Sequence, residues 1–153
     1  MDSARAEWHR TFAIETFNRS WDLLETPTRD AADDEEMLAV AFASRWHWGQ
    51  VGDAGNRAIG DHQIAKVAAA LGLGALSQRY AARAFAVAEA EGWTGWRSAA
   101  AREGMARAAQ AVGDGPERDR WFAEARKALA EEDSPEERQV ILDQLREIPG
   151  WTD

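Results

Sequence analysis

The chain has 153 residues and a formal net charge of −9, and alanine is its commonest residue. This length suffices for one domain with its own apolar core. The acidic balance disfavours general binding to nucleic-acid phosphates, and the absence of cysteine excludes disulfides and thiolate catalysis.

The first half of the chain predicts three helices. The first covers about residues 7–24, where aromatic and leucine side chains recur on one face, and it ends before Pro27. The acidic stretch 30–36 opens the second helix, because carboxylates favour the positive N-terminal end of a helix. The third helix begins after Asp53, which can cap it, and ends at Gly72.

The second half predicts four more helices. The fourth covers about residues 76–91, and Thr94 is expected to cap the fifth. Gly113 ends the fifth helix, and Pro116 suits the first position of the sixth. Ser134, followed by proline and glutamate, is typical of the start of the seventh helix, which ends near Ile148.

Loops this short make neighbouring helices antiparallel. Alanine favours helix and lets helices approach closely, and we expect the eight tryptophans to supply the bulk of the core. The prediction is therefore a single all-α domain over residues 1–153, built from stacked antiparallel helical hairpins.

Small residues recur at similar distances from two turn glycines. An alanine lies seven residues before each glycine and another lies twelve residues after it. The glycines are Gly72 and Gly113, and the alanines are Ala65, Ala84, Ala106 and Ala125. This pattern resembles that of tetratricopeptide repeats, over a repeat-like part of about residues 31–132. The resemblance implies a right-handed solenoid of helical hairpins that binds a protein or peptide in a groove.

A second resemblance concerns the stretch from His47 to Asn56, which reads His-Trp-x-x-Val-Gly-x-x-x-Asn. It is similar to a stretch in a family of uncharacterised bacterial proteins. That likeness implies an all-helical fold and names no activity.

Polar and aromatic residues concentrate around the predicted turn between the second and third helices. Together they could form a pocket with stacking and hydrogen-bonding groups. The candidates are Arg45, His47, Trp48, Asn56, His62 and Gln63. The alternative is that the tryptophans belong to the core and the polar groups cap the turn.

Arginine is concentrated in the middle of the chain, and Arg79 and Arg83 lie one helical turn apart. Such a pair could clamp a carboxylate of an acidic partner. The alternative is that these arginines pair with nearby acids of the same chain. A pair at helical spacing, Glu103 and Arg107, is expected to form an ion pair on the helix surface.

Motifs for catalysis and metal binding are missing. No serine lies in a Gly-x-Ser-x-Gly context, and no glycine-rich phosphate loop is present. The three histidines have no metal-ligand spacing, and His9 is expected at the surface. We therefore predict no catalytic residue, no metal and no cofactor.

The leading functional hypothesis is a non-catalytic interaction module that binds a protein or peptide, with an acidic partner as one option. One alternative is a small-molecule or metal-binding protein or enzyme with a pocket near His47, Trp48, Asn56 and His62. Another is a self-associating structural protein, such as a homodimer, in which Trp8 or Trp151 is exposed. The N-terminus lacks a signal-peptide pattern and no segment is apolar enough to span a membrane, so a cytoplasmic location without membrane contact is expected.

Overall fold

The computed structural model describes all 153 residues. It contains seven helices and no strand, which confirms the predicted all-α class and helix count. The helices are α1 Ser3–Glu25, α2 Ala31–Val51, α3 Ala54–Ala70, α4 Gly74–Ala90, α5 Gly95–Ala111, α6 Gly115–Ala130 and α7 Pro135–Arg146. None of them is both long and apolar enough to cross a membrane.

Side chains cap most of the helix starts. Asp53 accepts a hydrogen bond from the backbone N–H of Asn56, and the Asn56 side chain accepts one from the N–H of Asp53. This reciprocal capping box confirms the predicted start of α3. Ser134 accepts from the N–H of Glu137 at α7, as predicted. Asp30 makes a capping box at α2 that the sequence analysis did not predict.

The predicted cap at Thr94 is wrong, because the Thr94 side chain makes no capping hydrogen bond. Glu132, from the connection between α6 and α7, accepts a hydrogen bond from the N–H of Trp96 at 2.7 Å instead. A carboxylate is a stronger acceptor than a hydroxyl and also suits the positive end of the helix dipole. The start of α5 is therefore fixed by a distant part of the chain.

Three successive helices, α3, α4 and α5, end in the same way. Gly72, Gly92 and Gly113 have φ angles of 72°, 63° and 77°. In each case the N–H after the glycine donates to a carbonyl five residues earlier, as Leu73 does to Ala68. This is the Schellman motif, and it confirms the two turns predicted from Gly72 and Gly113.

The odd-numbered helices form a continuous layer. Contacts join α1 to α3, α3 to α5 and α5 to α7, and α2, α4 and α6 each lie against one or two of these helices. The C-terminal helix α7 contacts α5 in this layer. The side chains on this layer bound two cavities of the molecule.

Small residues dominate the helix contacts. Ala65, Ala81 and Ala108 form one buried cluster, and Ala106 is fully buried in another. A methyl group added to Gly60 would come within 2.8 Å of the Arg45 side chain, so α2 and α3 approach closely there. The alanine-rich sequence thus packs as its composition suggests.

The expectation that tryptophan fills the core is wrong. Only Trp121 is buried, while Trp8 and Trp46 are mostly exposed and the other five are partly buried. Helices in contact through alanine and glycine leave little room for indole rings between them. The largest fully buried apolar side chains are Met37, Ile64 and Leu145.

We predict that Ala106→Leu destabilises the protein by about 1–3 kcal/mol, because the added carbons enter a fully packed site. The free energy of unfolding in urea measures this. Ala123→Leu, at an exposed position of α6, is the matched control and should change it little. Equal effects of the two substitutions would contradict the close contact at Ala106.

Candidate functional site

A cavity of about 440 Å³ opens on the layer of odd-numbered helices. Its walls come from α1, the N-terminal halves of α3 and α5, and α7. Four aromatic side chains line it: Phe17, Trp21, Trp93 and Trp96. Its volume lies within the range of ligand pockets, which are also lined mainly by apolar and aromatic groups.

His62 of α3 lies in the cavity wall and is held there by Glu103 of α5. The His62 Nε2 atom lies 2.8 Å from Glu103 Oε2, and the Glu103 side chain is completely buried. Gly104 makes room for the ring, since an added Cβ would lie 3.0 Å from His62 Cδ2. The imidazole therefore has one fixed orientation between α3 and α5.

Glu103 is the centre of a charged network. Arg107 Nε donates to Glu103 Oε1 at 2.6 Å, and Arg107 Nη2 donates to the backbone oxygen of Gln144 at 2.9 Å. Arg107 also reaches Glu147 at 3.1 Å. This confirms the predicted Glu103–Arg107 ion pair, but the carboxylate lies in the interior and not on the helix surface.

The network keeps Glu103 ionised. Burial alone raises the pKa of a carboxyl group, but Arg107 and His62 hold the pKa of Glu103 far below its usual range. Burial by itself lowers the pKa of Arg107. Glu103 and Glu147 outweigh that effect, so the pKa of Arg107 is raised. An ionised carboxylate only accepts hydrogen bonds, so the proton between His62 and Glu103 lies on Nε2.

Three of the predicted site residues line this cavity: Asn56, His62 and Gln63. Asn56 is also the capping residue described above. Gln63 is buried, and its Nε2 donates to Ser20 Oγ at 2.8 Å, which ties α3 to α1. Of the three, His62 has its second ring nitrogen without a partner in the protein.

Arg45 and Arg83 meet at a different place, on the buried carboxylate of Asp61. Arg45 Nε lies 2.7 Å from Asp61 Oδ1, and Arg83 Nε lies 3.4 Å from Oδ2. Arg83 also lies over the Tyr80 ring, 4.9 Å from its centroid, and Arg79 lies 6.0 Å from the same centroid. The Arg79/Arg83 pair is thus partly engaged by groups of the chain itself.

His47 lies with His9, away from His62. The two Nδ1 atoms are 2.8 Å apart, and the rings contact Trp46 and Phe12. His9 is buried, which corrects the expectation of a surface histidine. No group of three or more metal-ligating side chains is present in the structure.

Sequence reasoning missed much of the cavity wall. Trp93 and Trp96 flank the turn before α5, and Ile59 and Val140 contribute exposed aliphatic side chains. The pair Trp93 and Trp96, spaced three residues apart at a helix start, is the one signal in the sequence that could have indicated them. Val140 of α7 is half exposed at the cavity.

No family model matches the chain, and no curated protein or solved structure is significantly similar to it. The stretch from His47 to Asn56 forms the turn between α2 and α3. At Gly52 an added Cβ would lie 2.7 Å from the Trp48 carbonyl oxygen and 2.8 Å from Asn56 Cβ. A tight turn accounts for the glycine and the asparagine of that stretch.

The His9–His47 pair should make stability depend on pH. Burial, followed by the neighbouring His9, lowers the pKa of His47 below 6.5. The unfolded chain then binds more protons, so stability is full above about pH 6.5 and falls as the pH drops below that value. We expect the melting temperature of the wild type to fall from pH 7.5 to 5 more than that of His47→Asn. Parallel pH profiles would contradict this.

We predict that Glu103→Gln lowers the free energy of unfolding by about 3–5 kcal/mol, because it removes the carboxylate that neutralises buried cations. Urea unfolding at neutral pH measures the change. Glu7→Gln, at an exposed site without an ion pair, is the control. A cost below about 1 kcal/mol, the size typical of surface ion pairs, would show that the network contributes little.

Proposed function

We propose that the protein is a non-catalytic interaction module of helical-repeat type, which binds a peptide segment in the cavity described above. Support for a tetratricopeptide-like arrangement comes from the three identical turns and the close contacts at alanine and glycine. The layer of odd-numbered helices, which carries the cavity, would be the inner face of such a solenoid.

The cavity suits an apolar anchor side chain. Ile59 and Val140 on its walls are 44% and 51% exposed, which is unusual for large aliphatic residues next to four aromatic rings. Covering them with a partner's side chain removes apolar surface from water. This clustering of exposed aliphatic and aromatic groups in one concave site is the observation that carries the proposal.

The charges around the cavity favour a basic segment. Asp53, Glu91 and Glu137 line it, and none of them forms an ion pair within the protein. The single basic residue of the wall, Arg97, lies 5.5 Å from the ring centroids of both Trp93 and Trp96. Aromatic rings that already accept a guanidinium, with free carboxylates beside them, attract cations.

This partner chemistry departs from the acidic partner expected from the arginine-rich middle of the chain. Most of those arginines are paired with acids of the same chain, as Arg102 is with Glu89 at 3.1 Å. Such pairs leave little free positive charge for a partner. We therefore propose a segment with an apolar or aromatic anchor and flanking lysine or arginine residues.

Binding of fluorescent peptides tests this proposal. Each peptide carries one apolar anchor residue, and the three sets differ in the flanking residues, which are Lys and Arg, Ser, or Asp and Glu. We expect the basic set to bind most tightly, with affinity falling as salt rises. Val140→Arg, which places a cation in the cavity, should weaken binding about tenfold or more, the equivalent of one hot-spot contact.

Ile14→Arg is the matched control, because Ile14 is 50% exposed and does not line the cavity. It should bind the same peptides as the wild type does. Equal binding of the three peptide sets, or equal loss in both variants, would overturn the proposal.

A second candidate function, small-molecule binding or turnover, rests on His62. With Nε2 hydrogen-bonded to Glu103, Nδ1 is the ring nitrogen of His62 left to exchange a proton with a ligand. This is the arrangement of a general base oriented by a carboxylate. No Ser, Thr, Cys or Lys lines the cavity to act as a nucleophile, so the base would act on a ligand proton or on water.

His62→Gln separates the two candidates. If it abolishes binding or turnover of a small molecule found by ligand-observed NMR, while peptide binding persists, the second function gains support. Unchanged small-molecule binding or turnover in His62→Gln would exclude His62 as the responsible group.

A further inference from the structure

A second cavity, of about 400 Å³, lies on the same layer at the C-terminal ends of α1, α3, α5 and α7. Trp21 borders both cavities, and the Glu103 network lies between them. Three basic side chains line the second cavity, Arg29, Lys66 and Arg107, together with the carboxylates of Glu25 and Glu147.

Lys66 is the unusual member of this set. Its side chain is only 6% exposed, and its Nζ atom makes no hydrogen bond. The Nζ atom lies 4.6 Å from the centre of the Trp21 ring and 3.3 Å from Glu147 Oε2, an ion-pair distance without hydrogen-bond geometry. A buried ammonium group with unused donors is costly unless an anion meets it.

Two carboxylates meet the two buried cations of this network. Glu103 balances one of the two buried cations, Lys66 or Arg107, and Glu147 supplies the charge for the other. A single oxygen of Glu147, Oε2, reaches both Arg107 and Lys66. Yet the Glu147 side chain is 55% exposed and follows the last residue of α7, so it can turn out into solvent.

We propose that the second cavity binds a small oxyanion, a carboxylate or a phosphate, in place of the Glu147 carboxylate. Lys66 and Arg107 hold its charge. Gln110 lines the same cavity, and because its Oε1 accepts from Arg118, its amide nitrogen is free to donate. When the ligand is absent, the Glu147 carboxylate occupies the anion site.

The helix ends around the cavity do not provide this binding. Their carbonyl groups carry partial negative charge, which disfavours an anion. Two of these carbonyl regions are already met by cations: Arg107 donates to Gln144, and Arg29 lies within 3.4 Å of the Leu23 oxygen. The oxyanion is therefore held by side chains, and the loss of one cation should abolish its binding.

Thermal melting of the full chain in sodium acetate and in sodium phosphate tests the proposal, against sodium chloride at the same ionic strength. Glu147→Gln removes the internal competitor, whose effective concentration is in the millimolar range. The dissociation constant for the anion should therefore fall about tenfold relative to the wild type. A larger response to acetate identifies a carboxylate site, and a larger response to phosphate identifies a phosphate site.

Two further variants serve as controls. Lys66→Met in the Glu147→Gln background should abolish the response, and Glu7→Gln, which removes an exposed carboxylate that lines neither cavity, should behave as the wild type does. If the Lys66 variant does not fold, the NMR signal of the Trp21 indole N–H is followed in Glu147→Gln instead. Trp21→Phe identifies that signal. That signal should shift with the bound anion and not with chloride.

The proposal is overturned if Glu147→Gln responds to acetate and phosphate no more than to chloride. It is equally overturned if the response survives the loss of Lys66, or if the Trp21 signal does not move. Val140→Arg lies in the first cavity and should leave anion binding unchanged, so failure of the peptide proposal and failure of this one are separate results.

Discussion

The arrangement of the odd-numbered helices depends on one buried carboxylate. Glu103 has no contact with solvent, and an ionised group in that position must be met by cations and hydrogen-bond donors. His62 comes from α3 and Arg107 from α5 itself, and Arg107 continues to the backbone of Gln144 in α7. Any sliding of α3 or α7 along α5 would break a charged contact in the interior, so Glu103 fixes the register of three helices.

The same network lies between two cavities whose linings differ in charge. On the side of the helix N-termini lie aromatic rings and carboxylates that form no ion pair; on the side of the C-termini lie Lys66, Arg107 and Arg29. The first attracts cations and apolar groups, and the second attracts an anion.

Close packing through small residues explains why the cavities are aromatic. Where α3, α4 and α5 meet through Ala65, Ala81 and Ala108, no space remains for an indole ring between the helix axes. Tryptophans at helix starts and on α1 therefore lie at the margins of the layer, where a ring can cover apolar surface and keep one edge in water. The composition that makes the helices approach closely also leaves indoles available for binding.

Features that depend on neighbours along the chain could be predicted from the order of the residues. Helix number, the capping residues Asp53 and Ser134, the glycine turns and the Glu103–Arg107 pair all involve residues within five positions of one another. The contacts between helix faces became visible only in the folded chain: His62 meets Glu103, His9 meets His47, Lys66 meets Glu147, and most tryptophans lie outside the core. These outcomes depend on the rotation of each helix about its axis, and an alanine-rich helix has apolar residues on so many sides that its sequence leaves this rotation undetermined.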